Sequence, residues 1–303
     1  MKISYELNPP KIMVGDDDHF DVMRLNQELQ ILLNRSSELK NLVNGIHLTD
    51  SVLGIPRVSS ITAASYIKKN TGGGGSSSNN NKLKLSCSVR TRDRNFTSFC
   101  QFVTDAILVG VESLLILRGD EPATRIMTTT SSTAGVGGGG IGEGTTGREN
   151  RIRGEGEDGG GGKKSSGLKP TSILSILNDK NYNKSIHLNL SVPSKIFYYN
   201  RSLFEKKIEA KPYSIVTQLI SSLSDLGEIV DIVKSFKIKV VACVMVPSDK
   251  NRRSADIIGL DWKEYEKNPV DFIKAASTLA DEVLISSPNS FRMGIDLLRS
   301  LRQ

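Results

Sequence analysis

Short apolar runs of strand length alternate with helical segments along the whole chain, and this alternation limits the fold more than any other feature of the sequence. The segment 82–122 shows the pattern in full. Its first part alternates apolar and polar residues at the period of a strand, its middle repeats apolar residues at helical spacing up to Gly110, and its end, 113–117, is continuously apolar. A continuously apolar strand is typical of a parallel sheet that is buried on both faces.

The same reading along the chain gives eight strands and eight helices. The predicted strands are 3–7, 46–49, 83–89, 113–117, 186–192, 213–218, 237–245 and 282–285. The predicted helices are 20–43, 58–69, 96–108, 171–178, 202–210, 230–236, 269–280 and 290–301. Eight alternations favour a closed (β/α)8 TIM barrel, and no strand is followed by the GxGxxG of an open dinucleotide-binding sheet. We expect residues 1–303 to form one such domain.

Two low-complexity stretches interrupt the pattern, at about 71–81 and 128–167. Both are dominated by glycine, serine or asparagine, which bury too little apolar surface to form packed structure. The longer stretch lacks the GxxxxGK[ST] motif of a phosphate-binding loop. Both are therefore predicted to be disordered surface insertions.

Composition narrows the function classes. The three cysteines form no CxxC pair, which argues against a structural metal and for a reducing compartment. The formal charge of +7 suits an anionic ligand or nucleic acid, but no basic run interleaved with aromatic residues supports nucleic acid.

No apolar stretch approaches the roughly 20 residues that span a bilayer, and the first residues lack the apolar core of a signal peptide. We expect a soluble cytoplasmic protein.

The active site of a (β/α)8 barrel lies at the carboxyl ends of its strands. Residues at these ends include a glutamate, aspartates, hydroxyls and an amide: Glu6, Thr49, Asp50, Ser88, Asp120, Ser191, Gln218 and Ser286. Such groups suit proton transfer and the recognition of a polar heterocycle. No histidine lies at these ends, so no metal site is predicted.

Glu6 is the candidate general acid, because burial at the barrel mouth raises the pKa of a carboxyl group. The alternative is an ion pair between Glu6 and Arg90 or Arg118. Asp120 carries the same ambiguity, since it can also cap the loop after a glycine. The two histidines that fall inside predicted strands, at positions 47 and 187, are expected to be core or supporting residues.

Five motifs carry a family resemblance. They are ELNPP at 6–10, TDSVLGIPRVS at 49–59, RDRN at 92–95, LRGDEP at 117–122 and VTQ at 216–218. In order and spacing, these motifs resemble the flavin-dependent methylenetetrahydrofolate reductase family over most of the chain outside the glycine-rich stretches. The resemblance implies a flavin-containing barrel that reduces 5,10-methylenetetrahydrofolate to the 5-methyl form in one-carbon metabolism and methionine biosynthesis.

The resemblance also implies roles for single residues. Glu6 would be the acid that helps open the methylene bridge to an iminium ion, and Asp120 would lie near the flavin and hold the pterin. Gln218 would contact the folate. The flavin and its phosphates would be held by Thr49, Ser88, Arg118, Gly119, Asp120 and Lys207. FAD is the expected cofactor, and NADH or NADPH is the expected electron donor.

Some residues depart from the family pattern. Ser88 stands where many relatives have a flavin-contacting histidine, and SSPNS near the eighth strand lacks the tyrosine and arginine that some relatives use on folate. A modified pterin in place of folate, FMN in place of FAD, or an electron-donor protein as partner fits these changes equally well. A second hypothesis stays open as well: a catalytically degenerate flavin- or pterin-binding barrel that acts as a partner or regulatory subunit. The sequence leaves open whether the chain forms a homo-oligomer.

Overall fold

The computed structural model describes residues 1–12, 20–71, 83–120, 167–193 and 201–303. Both glycine-rich stretches lie almost entirely outside these ranges, so their predicted disorder stays a prediction. Only their edges are described: Thr71 is the last residue of a helix, and Gly167 packs against the backbone of Arg92.

Eight parallel strands form a closed barrel in which each strand pairs with its neighbours in chain order and β8 pairs with β1. The strands are β1 Ile3–Leu7, β2 Gly45–Leu48, β3 Lys84–Arg90, β4 Ser113–Leu117, β5 His187–Val192, β6 Ser214–Leu219, β7 Lys239–Met245 and β8 Glu282–Ser286. The predicted (β/α)8 TIM barrel is therefore confirmed. All eight predicted strands are present, with bounds shifted by two residues at most.

Nine α-helices lie in the described part of the chain. They are α1 Val22–Leu39, α2 Ser60–Thr71, α3 Phe96–Val109, α4 Pro170–Asp179, α5 Arg201–Glu209, α6 Leu223–Lys234, α7 Asp249–Ile258, α8 Pro269–Leu279 and α9 Phe291–Ser300. Eight correspond to predicted helices, and α7 was not predicted.

The two clearest differences from the predicted helices have local causes. Helix α6 begins at Leu223 and not at residue 230, because the side chain of Ser222 caps it by accepting a hydrogen bond from the backbone N–H of Asp225. Helix α7 has few apolar residues to mark it. It is bounded instead by a capping serine, Ser248, and by Gly259, which ends the helix in the left-handed conformation.

The main core lies between the outside of the barrel and the helices. Outward side chains such as Tyr5, Ile46 and Ile116 are fully buried there. Packing is tight where β1 meets α9, since a Cβ added to Gly294 would lie 2.1 Å from the hydroxyl oxygen of Tyr5. The hydrophobic effect of this layer closes the barrel and fixes which side chains point inward.

The inside of the barrel is largely polar in the described strands. A small apolar cluster lies there, formed by Leu115, Val216, Cys243 and Leu284. The other inward side chains of the described strands are mostly hydroxyl, amide, imidazole and carboxyl groups, and several bond to one another: Ser4, Glu6, His47, Ser86, Ser88, Asn189, Ser214 and Ser286. These buried polar groups position the candidate site.

Candidate active site

Glu6 lies at the carboxyl end of β1 and points into the barrel mouth. The residue is half-buried, and its Oε1 accepts a hydrogen bond of 2.8 Å from the hydroxyl of Ser286 on the neighbouring strand β8. Burial raises the pKa of the Glu6 carboxyl, and the Ser286 bond lowers it by a smaller amount. The carboxyl is therefore biased toward its protonated form, as the sequence predicted.

The alternative of a Glu6–Arg90 ion pair is wrong. Arg90 is buried, and its guanidinium faces the surrounding loops: Nη1 donates to the carbonyl of Ser51 at 2.9 Å, and Nη2 donates to the carbonyl of Asp120 at 2.7 Å. Nη2 also lies 2.8 Å from a carboxylate oxygen of Asp93. Among the described residues, neither Arg118 nor any other cation forms an ion pair with Glu6.

Arg90 thus connects the loop after β2 with the loop after β4. Gly119 lies directly against it with φ of +88°, and a Cβ at this position would be 2.5 Å from Nε of Arg90. Glycine is required here for both reasons, its positive φ and the close approach. Gly119 was expected to hold the flavin, but the side chain of Arg90 lies directly against it, and its contact with flavin stays a prediction.

Asp120 is exposed at the end of the same loop. Its Oδ2 accepts a hydrogen bond of 2.8 Å from the backbone N–H of Leu53, which has a left-handed φ of 58°. The carboxylate therefore caps a loop, as the alternative to a binding role predicted. The loop that it caps is the one after β2, whereas the prediction concerned the loop in which Asp120 itself lies. Its contact with flavin and pterin stays a prediction.

His47 and Ser88 form a hydrogen-bonded group inside the barrel. His47 Nδ1 lies 2.8 Å from the hydroxyl of Ser86, and Nε2 lies 2.8 Å from the hydroxyl of Ser88. Burial lowers the pKa of His47 to about 4, so the imidazole is neutral at pH 7. The expectation that His47 is a supporting residue is confirmed, whereas the Ser88 hydroxyl that was assigned to the flavin is buried and bonded to His47.

This imidazole group could have been found from the sequence. His47, Ser86 and Ser88 have the inward parity of their strands, and β2 and β3 are neighbours. The imidazole of His47 on the adjacent strand occupies the barrel interior beside Ser88.

The remaining predicted cofactor residues lie on the same side of the barrel. Thr49 is buried, and its hydroxyl donates to Oδ1 of Asn8 at 2.7 Å. Lys207 on α5 is also buried, and its ammonium donates to the carbonyl of Ser191 at the end of β5 at 2.8 Å. Arg118 is half-buried at the end of β4. The structure thus brings two cations to neighbouring strand ends.

Gln218 lies inside an irregularity of β6. The register between β6 and β7 shifts between Val216 and Leu219, and Leu219 pairs with Cys243. The hydroxyl of Thr217 accepts the backbone N–H of Cys243 at 3.0 Å inside this irregularity. Gln218 is exposed, while Leu219 packs on the interior apolar cluster, and the folate contact of Gln218 stays a prediction.

His187 does not belong to this site or to the core. It begins β5 at the opposite end of the barrel and is exposed, so the expectation of a core or supporting role is wrong for this residue. The reason is that His187 is the first residue of β5, at the open end of the barrel, where no further layer of side chains covers it.

Within the described ranges, no three histidine, cysteine, aspartate or glutamate side chains are grouped as metal ligands. None of the described helices combines the length and apolar character needed to cross a bilayer.

Comparison with known proteins adds little. No family model and no curated protein matches the chain. Among solved structures, the chain is similar to dihydropteroate synthase from Yersinia pestis in complex with a sulfonamide drug, with 9% identity and a TM-score of 0.44, over 99% of this chain and 93% of that one. It is also similar to tryptophan synthase from M. tuberculosis in an aminoacrylate-bound form, with 10% identity and a TM-score of 0.44, over 99% and 89% of the two chains. Likenesses this weak carry no functional argument.

Proposed function

We propose that this protein is a flavin-dependent reductase that converts 5,10-methylenetetrahydrofolate, or a related methylene-pterin, to its 5-methyl form. The observation that carries the proposal is the state of Glu6. Its carboxyl is half-buried at the barrel mouth, has a raised pKa, holds one hydroxyl partner and has no cation beside it in the described structure. A carboxyl group in this environment can donate a proton near neutral pH.

The residues at the strand ends fit a flavin with phosphate groups. The ammonium of Lys207 and the guanidinium of Arg118 lie at the ends of β5 and β4, which are adjacent strands. Cations at adjacent strand ends suit an anionic phosphate chain. Thr49 and Gly119 would hold the flavin nearby, and Ser88 would act on it only through His47, to which its hydroxyl is bonded.

When bound, the flavin supplies the hydride. The protein's own part is to hold the pterin and to move one proton. The Glu6 carboxyl donates its proton to the bridge nitrogen as the methylene bridge opens to an iminium ion, and Glu6 becomes a carboxylate. The Ser286 hydroxyl then stabilises this carboxylate by the hydrogen bond that it already donates.

The other predicted contacts complete the proposal. Asp120, held at the mouth by the N–H of Leu53, would orient the pterin, and the exposed amide of Gln218 would contact the folate. FAD is the proposed flavin and NADH or NADPH the proposed donor, with FMN, a modified pterin or an electron-donor protein as variants of the same reaction.

A second candidate function rests on the hydroxyl of Ser88. Because this group is bonded to His47 inside the barrel, the chain lacks the flavin contact that many relatives make from this strand. A barrel that binds flavin or pterin as a partner or regulatory subunit, without turnover, follows from that loss.

The visible spectrum of the purified protein tests both candidates. A reductase binds FAD or FMN, shows flavin absorption and, after anaerobic reduction by NADH, NADPH or dithionite, is reoxidised by methylenetetrahydrofolate. A flavin that binds but is not reoxidised by any methylene-pterin supports the regulatory barrel. A colourless protein that takes up neither FAD nor FMN excludes the reductase.

A further inference from the structure

The lowest layer of inward side chains, at the barrel end opposite the candidate active site, is entirely basic. In a (β/α)8 barrel, alternate strands contribute four side chains to each layer. At this end the odd-numbered strands contribute Lys2, Lys84, His187 and Lys239. Lys2 directly precedes β1, and the other three residues lie at the first positions of β3, β5 and β7.

The pairing register sets these four residues at one height. Ser4 pairs with Gly45 of β2, and Gly45 pairs with Lys84 of β3. The register of such a barrel advances by about eight residues around the closed sheet, which is about one residue per strand. Lys84 therefore lies level with Lys2, two residues below Ser4. The same step from β3 to β5 and from β5 to β7 brings His187 and Lys239 to this height.

Carboxylates at this end form ion pairs with only two of the three lysines in the described structure. Lys2 pairs with Glu282, and Nζ of Lys84 lies 3.1 Å from Glu112. Lys239 forms no ion pair within the described structure, and its ammonium instead donates to the hydroxyl of Tyr213. A third carboxylate at this end, that of Asp281, accepts the backbone N–H of Val240 at 2.9 Å and forms no ion pair with Lys239.

An aromatic pair holds the cationic layer in place. The ring of His187 stacks on the ring of Tyr213, with centroids 3.6 Å apart and planes 6° from parallel. The ammonium of Lys239 lies 4.4 Å from the centroid of the Tyr213 ring on which His187 stacks. Tyr213 is 40% exposed, so the group opens to solvent.

The charges of this layer act on one imidazole. Burial lowers the pKa of His187 most, Lys239 lowers it further, and Lys84 and Lys2 add to this effect, while Glu112 opposes it. The direction of this shift agrees with the pairing register, which sets the three lysines and His187 at one height.

We propose that this end of the barrel binds a phosphate-class oxyanion, with Lys239 as the central cation and Lys84, Lys2 and His187 around it. A doubly charged phosphate offers acceptors for the ammonium protons of Lys239 that no carboxylate takes, and for an imidazole N–H of His187. It also relieves the mutual repulsion of the layer. Glu282 and Glu112 stay paired with Lys2 and Lys84.

The alternative is a polar plug, in which the two ion pairs and the stacked rings only close the barrel. The two readings differ in one property. A plug responds to the ionic strength of any salt, because screening weakens the repulsion among lysines. An oxyanion site responds to phosphate in a saturable way.

Thermal unfolding of the full-length protein separates them. Inorganic phosphate is added at constant ionic strength, with chloride as the balancing anion, and Tm is measured. The site gives a saturable rise in Tm that chloride does not reproduce. Lys239→Met lowers the apparent phosphate affinity about tenfold or more, because it removes a charged hydrogen-bond donor. Lys250→Met, an exposed lysine at the start of α7, leaves the affinity unchanged. Equal effects of phosphate and chloride on the native protein overturn the proposal.

A second measurement holds even if Lys239→Met is unstable. The chain has three histidines, and the ring resonance of His187 is assigned by its loss in His187→Gln. Bound phosphate favours the imidazolium and raises the His187 pKa, opposite in sign to the effect of the lysines. An unchanged His187 titration in saturating phosphate contradicts the site. AMP in place of phosphate tells whether the anion is free or part of a nucleotide, since tighter AMP binding assigns a nucleotide phosphoryl group.

Discussion

Glu6→Gln separates the chemical role of this carboxyl from its structural role. Glutamine has the same shape, and its carbonyl oxygen can accept the Ser286 hydroxyl that now bonds to Oε1 of Glu6. The substitution therefore keeps the hydrogen bond and removes only the transferable proton. Loss of general-acid catalysis lowers the rate of the folate half-reaction by about 10² to 10⁴. Reduction of the flavin by its donor does not use this proton and stays near the native rate.

The same substitution has a predictable effect on stability. The pKa of Glu6 is raised in the folded protein, so the folded state binds more protons than the unfolded state between the unfolded pKa, about 4.3, and the raised value. The native protein therefore loses stability as pH rises through this window, by about 1.4 kcal/mol for each unit of pKa shift. The glutamine side chain of the variant does not titrate, and the variant becomes more stable than the native protein at pH 8.

Two assays are needed. Anaerobic stopped-flow absorbance measures each half-reaction, and urea unfolding at pH 4 and pH 8 measures the free energy of unfolding. Glu38→Gln is the matched control, because Glu38 makes only an exposed ion pair with Arg299 on the outside of the barrel. Equal loss in both half-reactions, together with a destabilised variant at pH 8, would refute the reasoning and assign Glu6 a structural role.

Two further predictions use the contacts of single side chains. Ser286→Ala removes the hydrogen bond that lowers the pKa of Glu6. The alkaline limb of the pH–rate profile for folate reduction therefore moves to higher pH. If the limb does not move, another group causes this titration. Gly294→Ala places a Cβ 2.1 Å from the Tyr5 hydroxyl and lowers the free energy of unfolding by about 1 to 3 kcal/mol. Gly227 lies in helix α6 with open space around it, so Gly227→Ala raises the free energy of unfolding by about 0.5 to 1 kcal/mol. Urea unfolding measures both changes.

The barrel could be predicted because its strands are marked in the sequence by short apolar runs. Runs such as 113–117 are buried on both faces, so apolar residues fill them regardless of what the loops do. Helix α7 gave no such signal, since only Asn251 and Ala255 of its residues are buried. Its serine cap and terminal glycine define its ends, and such caps are weaker sequence signals than apolar periodicity.

The site was predictable in position but not in partners. Strand parity places Glu6 at the mouth and gives its burial. It cannot tell that Arg90 turns to Asp93 and to two loop carbonyls, because these contacts depend on the left-handed turns at Ser51 and Gly119. The partner of Ser88 lies on the neighbouring strand β2, so it follows from the pairing of β2 with β3 and not from the residues at the end of β3 alone.

Uncharged side chains lie directly below Glu6 in the barrel, between it and the cationic layer. Lys2 and Glu6 lie on the same strand, four residues and about 13 Å apart along it. Between their levels lies the layer of Leu115, Val216 and Leu284, which carries no charge. His47 completes this layer on β2, and its low pKa keeps it neutral at pH 7. A charged imidazole here would favour the Glu6 carboxylate and remove the acid. Burial of His47 between two serine hydroxyls therefore keeps a positive charge away from Glu6, whose own burial raises the pKa of its carboxyl.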